Sequence, residues 1–349
     1  MSKETDVNLI VPTKIGDVDV DFYDADNTVF RMYGMWREGD KYCRIPCDVA
    51  EKIGTAIKNS RFSTSGGRIR FVTDSSFVAV KISYANPARN DVTPSSSSMA
   101  INMYVDGEFG GVFRLPDNFS ELEYSGIQNL KSEGEHVVTL FMPTHSYIEK
   151  LEIGIEPGKS IKTAPDHKYE RPVVFYGSSI TQGTGSSRSG MTYPAQISRR
   201  LDMNYTNLGF GGLARGEAAM AEYIATLDMA VFVYDYDFNA TTPLLDATHE
   251  PFFKIVREKN PELPIIMISR PSSFRSGDED TAARYAIIKR TYDNAVAGGD
   301  KNVYLINGLE FFGELKWECL VDGVHPSDFG YYHIANTLTP LIKSLLDRQ

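Results

Sequence analysis

From about residue 173 onward the chain alternates short apolar runs with longer amphipathic stretches, and that rhythm admits few folds. Apolar runs occupy 173–176, 205–208, 230–234, 264–268 and 302–306. Helical patterning occupies 192–202, 214–227, 249–259, 279–298 and 328–347. Short buried strands joined by helices pair in parallel, and the crossover helices cover both faces of the sheet. The expected architecture is therefore an α/β domain of three layers. In such sheets ligands gather beyond the carboxyl ends of the strands. Ser179, Gly212 and Asn239 each follow the end of a predicted strand.

The first half has a different rhythm. Period-two alternation recurs at 68–72, 77–82, 100–105 and 136–141, with no convincing helices between. Asp106-Gly107, between 100–105 and 111–115, is a hairpin signal. Several short strands of this kind read as an antiparallel sandwich of jelly-roll type. Residues 90–98, which include four consecutive serines, read as a mobile surface loop. From Glu156 to Arg171 the chain turns polar and carries Pro157, Gly158 and Pro165, with Pro172 following, which reads as a linker. The expected organisation is a β-sandwich over 1–155, a linker over 156–172 and the α/β domain over 173–349.

Bulk properties narrow the partners. With 36 basic and 46 acidic residues the net charge is −10, which disfavours nucleic acid or an anionic membrane surface. Three cysteines, Cys43, Cys47 and Cys319, are an odd count that argues against a disulfide framework and fits a reducing compartment. Cys43 and Cys47 have no second Cys/His pair at ligand spacing, so no metal site is read there. Met1 to Asp6 shows no basic-then-apolar signal segment, and no run approaches membrane-spanning length. The expected location is cytoplasmic. The sequence assigns no oligomeric state.

The chemistry concentrates in two places. Phe175-Tyr176-Gly177-Ser178-Ser179 ends a predicted strand in a turn that presents hydroxyls. Asp322-Gly323-Val324-His325 puts a carboxylate and an imidazole three residues apart, just before the last predicted helix. A serine needs a histidine to accept its proton, and that histidine needs a carboxylate to fix its tautomer and stabilise its cation. Each piece also has an ordinary reading, as a turn, a cap or a solvated loop. The turn is not a phosphate-binding P-loop, since no lysine follows at the required spacing, nor is it Gly-x-Ser-x-Gly. Of six histidines, His136, His145 and His167 fall in the sandwich or linker, His249 and His333 on predicted helices, and only His325 lies in a loop of the α/β domain with a carboxylate nearby. The glycine-rich Asn207-Leu208-Gly209-Phe210-Gly211-Gly212 and the strand-end amide of Asn239 are candidate donors to an oxyanion.

In this order, these stretches resemble the SGNH (GDSL-type) hydrolases, over about 173–349. Gly177-Ser178-Ser179-Ile180-Thr181 matches the family's first block, Gly212 the second, Asn239 the third, and Asp322 with His325 the last. Ser178 stands where the family usually has Asp, and Ala240 where an Asp commonly follows the asparagine. Phe175 to Gly183, Ser187-Arg188-Ser189-Gly190-Met191 and Arg44-Ile45-Pro46 extend the likeness to the branch with an amino-terminal sandwich.

The resemblance implies a flavodoxin-like α/β/α domain and ester hydrolysis through an acyl-serine, without metal or other cofactor. It implies Ser179 as nucleophile, His325 as base, Asp322 as its partner, and Ser179, Gly212 and Asn239 as oxyanion donors. The implied substrate is a small-molecule or oligosaccharide ester with a short acyl group, acetyl on carbohydrate being the first implied case. Arg188 is a candidate substrate contact, and Trp36, Tyr42 and Tyr104 are sandwich aromatics that either face sugar or fill the core. Two alternatives stay open at this level: an acyltransferase using the same acyl-serine, and a catalytically inactive carbohydrate-binding protein.

Overall fold

A computed structural model of the chain describes residues 10–349; the amino-terminal reading at Met1–Asp6 lies outside the described residues. The chain divides into two compact units. The first takes the residues up to Arg44, Phe62–Asp166 and Arg188–Gly190; the second takes Ile45–Arg61, His167–Ser187 and Met191–Gln349. The boundary therefore differs from one read at 155 and 173. Residues 45–61 form two short helices, α1 (Cys47–Ile53) and α2 (Thr55–Ser60), in a region read as strands alone. Ala50 and Ile53 on α1 and Ile57 on α2 join the core of the second unit.

The first unit is an antiparallel sandwich. Its strands are β1 (Ile10–Ile15), β2 (Val18–Asp24), β3 (Arg31–Tyr33), β4 (Trp36–Glu38), β5 (Lys41–Cys43), β6 (Arg68–Thr73), β7 (Phe77–Asn86), β8 (Asn102–Val105), β9 (Glu108–Val112), β10 (Glu123–Asn129), β11 (His136–Phe141), β12 (Tyr147–Ile155) and β13 (Ile161–Thr163). One sheet runs β1-β2-β12-β7-β10 and the other β13-β6-β11-β8-β9, with β3 also on β6; β4 and β5 form a separate hairpin. Alternate residues such as Ile69, Phe71, Val78, Val80, Val138, Leu140, Leu151 and Ile153 fill one core. Asp106 and Gly107 both take positive φ, as a tight hairpin between β8 and β9 requires.

Two expectations for this half are corrected. The serine run is not a mobile surface loop: Ser95–Ser98 forms the short helix α3, with Ser97 and Ser98 buried. Its carbonyls are taken up by the backbone N–H groups of Thr144 (onto Ser97) and Ser146 (onto Ser98). The stretch read as a linker is partly sheet, since β13 pairs with β6 and the first strand of the next domain begins at Tyr169.

The second unit carries a five-stranded parallel sheet. Its strands are β14 (Tyr169–Gly177), β15 (Met203–Gly209), β16 (Val231–Asp235), β17 (Ile265–Ile268) and β18 (Val303–Ile306), in the order β15-β14-β16-β17-β18. This is the flavodoxin-like 2-1-3-4-5 order, whose switch point lies where β14 is flanked by β15 and β16. The helices are α4 (Ser179–Gln182), α5 (Tyr193–Leu201), α6 (Ala218–Ala225), α7 (Thr242–Lys259), α8 (Gly277–Ala297) and α9 (Asp328–Leu346). Helix α5 packs with α9, and α6 with α7 and α7 with α8, giving the two outer layers. Helix α7 starts seven residues before its predicted start because Pro243 lies in the first turn, where its missing N–H costs nothing, and Thr241 caps it. Val231, Phe232, Val233 and Tyr234 on β16 are almost wholly buried, worth about 1.5–3 kcal/mol for each large apolar side chain.

Candidate active site

Register brings three strand ends to one level. Gly177 at the end of β14 pairs with Gly209 of β15 on one side and Asp235 of β16 on the other. The loops leaving these ends carry Ser179, Gly212 and Asn239. A Cβ at Gly177 would collide with Thr181 Oγ1 and the Asp235 carbonyl, so the turn can be this tight only with glycine there. The Ser178 N–H donates to the Asp235 carbonyl at 3.1 Å, stitching the turn to β16. The Ser178 hydroxyl accepts from the Ile180 N–H at 3.2 Å and caps α4. Serine and aspartate are both effective at this capping position, so a serine before the candidate nucleophile keeps the turn capped.

Ser179 is the first residue of α4, partly exposed, and its N–H has no intrahelical acceptor. Its Oγ lies 2.9 Å from His325 Nε2. The two stretches, far apart in the chain, are tied through α9: the Tyr331 hydroxyl bridges the carbonyls of Ile180 (3.0 Å) and Thr184 (2.7 Å). The loop before α9 is closed by the Val321 N–H on the His325 carbonyl at 2.8 Å. Within it, His325 Nδ1 lies 2.9 Å from Asp322 Oδ2, while Asp322 Oδ1 accepts the backbone N–H groups of His325 (2.8 Å) and Val324 (3.0 Å). Partial burial pushes the Asp322 carboxyl up, but these N–H groups and the imidazole outweigh it and hold it below the usual carboxylate range. An ionised Asp322 fixes the proton on Nδ1 and leaves Nε2 to accept from a serine hydroxyl.

The second and third loops meet beside the serine. Gly211 packs so close that a Cβ there would sit 3.2 Å from Ser179 Cβ. The Gly211 N–H donates to Gln182 Oε1 at 2.8 Å. The Gly212 N–H donates to Asn239 Oδ1 at 3.0 Å, and Asn239 Nδ2 donates to the Phe210 carbonyl at 2.9 Å. These two bonds fix which end of the Asn239 amide is nitrogen, and they leave its second N–H uncommitted to Phe210. Gly212 and Asn239, both named from sequence as donors, are therefore together but hydrogen-bonded to each other.

Two models of known families match, and between them they cover most of the chain. Residues 170–343 match the GDSL-like lipase/acylhydrolase family, and residues 20–161 match the amino-terminal domain of SGNH-hydrolase-type esterases. The chain belongs to the SGNH (GDSL-type) hydrolases. Among solved structures, this SGNH hydrolase is similar to a protein from Bacteroides ovatus described as a GDSL-like lipase, at 25% identity and a TM-score of 0.85, covering 94% of this chain and 98% of that one. It is similar in fold to the salicylyl-acyltransferase SsfX3 from a tetracycline biosynthetic pathway (19% identity, TM-score 0.76, 93% and 97% covered). It is also similar in fold to an acetyl xylan esterase from the rumen bacterium Butyrivibrio proteoclasticus (14% identity, TM-score 0.62, 94% and 99% covered). No curated protein matches the chain by sequence.

The remaining candidates lie in the sandwich unit of this SGNH hydrolase. The Arg188 guanidinium stacks 4.2 Å over the Phe109 ring. Tyr42 and Tyr104 are buried, Tyr104 edge-on to Phe109 and Phe141, so both fill the core and neither presents a face to sugar; Trp36 is exposed. Among the described residues no group of three or more His, Cys, Asp or Glu converges as for a metal, and no helix is long and apolar enough to cross a membrane. A buried acid behind the serine turn carries no sequence-level assignment. Asp235, the last residue of β16, accepts from Thr181 Oγ1 (3.1 Å) and the Tyr193 hydroxyl (3.3 Å) behind the serine turn. Its signal was an acid ending a wholly apolar strand.

Proposed function

We propose that this SGNH hydrolase is a serine esterase that removes short acyl groups, acetyl from carbohydrate first among them, through an acyl-serine. One observation carries the reading: Ser179 Oγ, His325 and Asp322 form an unbroken line of 2.9 Å contacts at the switch point of a parallel sheet. His325 Nε2 takes the Ser179 proton as Oγ attacks the ester carbonyl, and Asp322 stabilises the imidazolium. The Ser179 N–H and the second N–H of Asn239 receive the developing oxyanion. The Gly212 N–H joins them by sharing its bond to Asn239 Oδ1, since catalytic hydrogen bonds tighten when substrate arrives. The alcohol leaves with the proton from His325, and water, activated by the same imidazole, releases the acid. The fold shared with an acetyl xylan esterase supports carbohydrate acetyl esters as the first substrates to try.

A second reading, transfer of the acyl group to an alcohol, is favoured by the fold shared with a salicylyl-acyltransferase over most of both chains. Acetylated oligosaccharides assayed for released acetate, with and without acceptor sugars, separate the two. Wild-type protein should release acetate and Ser179→Ala should not, with both folded. Acetate release by Ser179→Ala at the wild-type rate would remove the proposal, and product that appears only with an acceptor would favour transfer.

A further inference from the structure

The short turn that presents Asn239 is held by an ion cluster buried behind it. Asp237, Arg270 and Arg284 expose only 1%, 3% and 7% of their surface. Arg270, just beyond the end of β17, donates its backbone N–H to Asp237 Oδ2 at 2.9 Å. Its Nε (3.1 Å) and Nη2 (2.9 Å) both reach Asp237 Oδ1. Arg284, on α8, brings Nη1 to the same Oδ1 at 3.1 Å and to the Ala240 carbonyl at 2.8 Å. Asp280 completes the cluster, accepting from Arg284 Nε at 2.7 Å, so two arginines balance two aspartates. The Arg270 guanidinium also lies 4.5 Å over the Phe238 ring.

Residues 237, 238 and 240 are thus each gripped by an arginine, and the residue between them is Asn239. Its side chain faces the other way in bonding terms, toward the Gly212 N–H and the Phe210 carbonyl. An arginine fork fixes direction as well as distance, which a lysine or an apolar filler does not. A buried ion cluster is also an inefficient source of stability compared with apolar packing of equal volume. A donor displaced by even an ångström from a developing oxyanion forfeits much of its effect.

We propose that Asp237, Arg270 and Arg284 are positioning residues that aim the Asn239 amide at the oxyanion, and so govern turnover rather than substrate affinity. This rests on the reading of Ser179 as nucleophile and Asn239 as donor.

The test is a double-mutant cycle on p-nitrophenyl acetate hydrolysis by the full chain. Asp237→Asn should lower kcat by about 10–100-fold with KM changed less than about 3-fold. In an Asn239→Ala background the same substitution should cost less than about 3-fold, because the group it aims is gone. Arg270→Lys should fall between wild type and Asp237→Asn. Where melting shows that Asp237→Asn does not fold, Arg284→Lys carries the same cycle. An unchanged kcat, a loss confined to KM, or an equal loss in both backgrounds overturns the clamp. Ser179→Ala runs alongside: if it is dead while the cycle is additive, only the clamp fails, and if it is active the nucleophile assignment fails and the clamp with it.

Discussion

Asp322 grips His325 twice, through the imidazole Nδ1 with one carboxylate oxygen and through the backbone N–H with the other. A single side chain therefore sets the ring's tautomer and the path of the loop that carries it. Asp322→Asn keeps the shape but puts an amide where an anion was, and an amide can present N–H to Nδ1 and invert the tautomer. The expected loss in kcat on p-nitrophenyl acetate is about 10⁴-fold with the fold intact, as for a triad aspartate replaced by asparagine. A loss under tenfold would assign Asp322 to loop closure alone.

Asn239 offers a sharper separation of binding from chemistry. Its amide nitrogen is held by the Phe210 carbonyl and its oxygen by Gly212, so Asn239→Ala removes a donor and frees the Gly212 N–H. Loss of one oxyanion donor costs about 10²–10³-fold in kcat. The expected result is a fall of that size with little change in KM; a KM effect alone would place Asn239 in substrate contact.

Asp235 gives a pH signature in stability. Burial, opposed by the Thr181 hydroxyl, reinforced by Asp237 and opposed again by Tyr193, raises its carboxyl from 3.8 to about 8. Between those values the native state holds a proton that the unfolded chain has released, so stability falls as pH rises through this window and levels off above it. Asp235→Asn removes the titration while keeping an acceptor for the two hydroxyls. Urea midpoints at pH 5 and pH 8.5 should fall more for wild type than for the variant. Parallel behaviour would mean that Asp235 ionises normally.

Much of the fold and of the candidate site was legible in the sequence because the candidate residues sit where apolar runs stop. Gly177, Gly209 and Asp235 end their strands in register, so the residues just beyond them had to converge. What escaped depends on pairing at a distance. Ile161–Thr163 looks like a polar connection until β6 is beside it, and the Ser95–Ser98 run looks like a loop until Thr144 and Ser146 take up its carbonyls. The strand-end motifs and the family resemblance name Gly212 and Asn239 as candidate donors, but not that the Gly212 N–H donates to Asn239 Oδ1. Nor do they join Asp237 to Arg270 and Arg284, 33 and 47 positions away, since charge balance in a buried cluster leaves no local periodicity.

The most direct measurement is covalent labelling by a fluorophosphonate, followed by mass spectrometry of the peptide spanning residues 173–188. Phosphonylation at Ser179, at a rate cut sharply by His325→Ala, is the expected result. Absence of label on folded protein, or label on Ser178 or Ser186 with Ser179 unmodified, would contradict the assignment of Ser179 as the nucleophile.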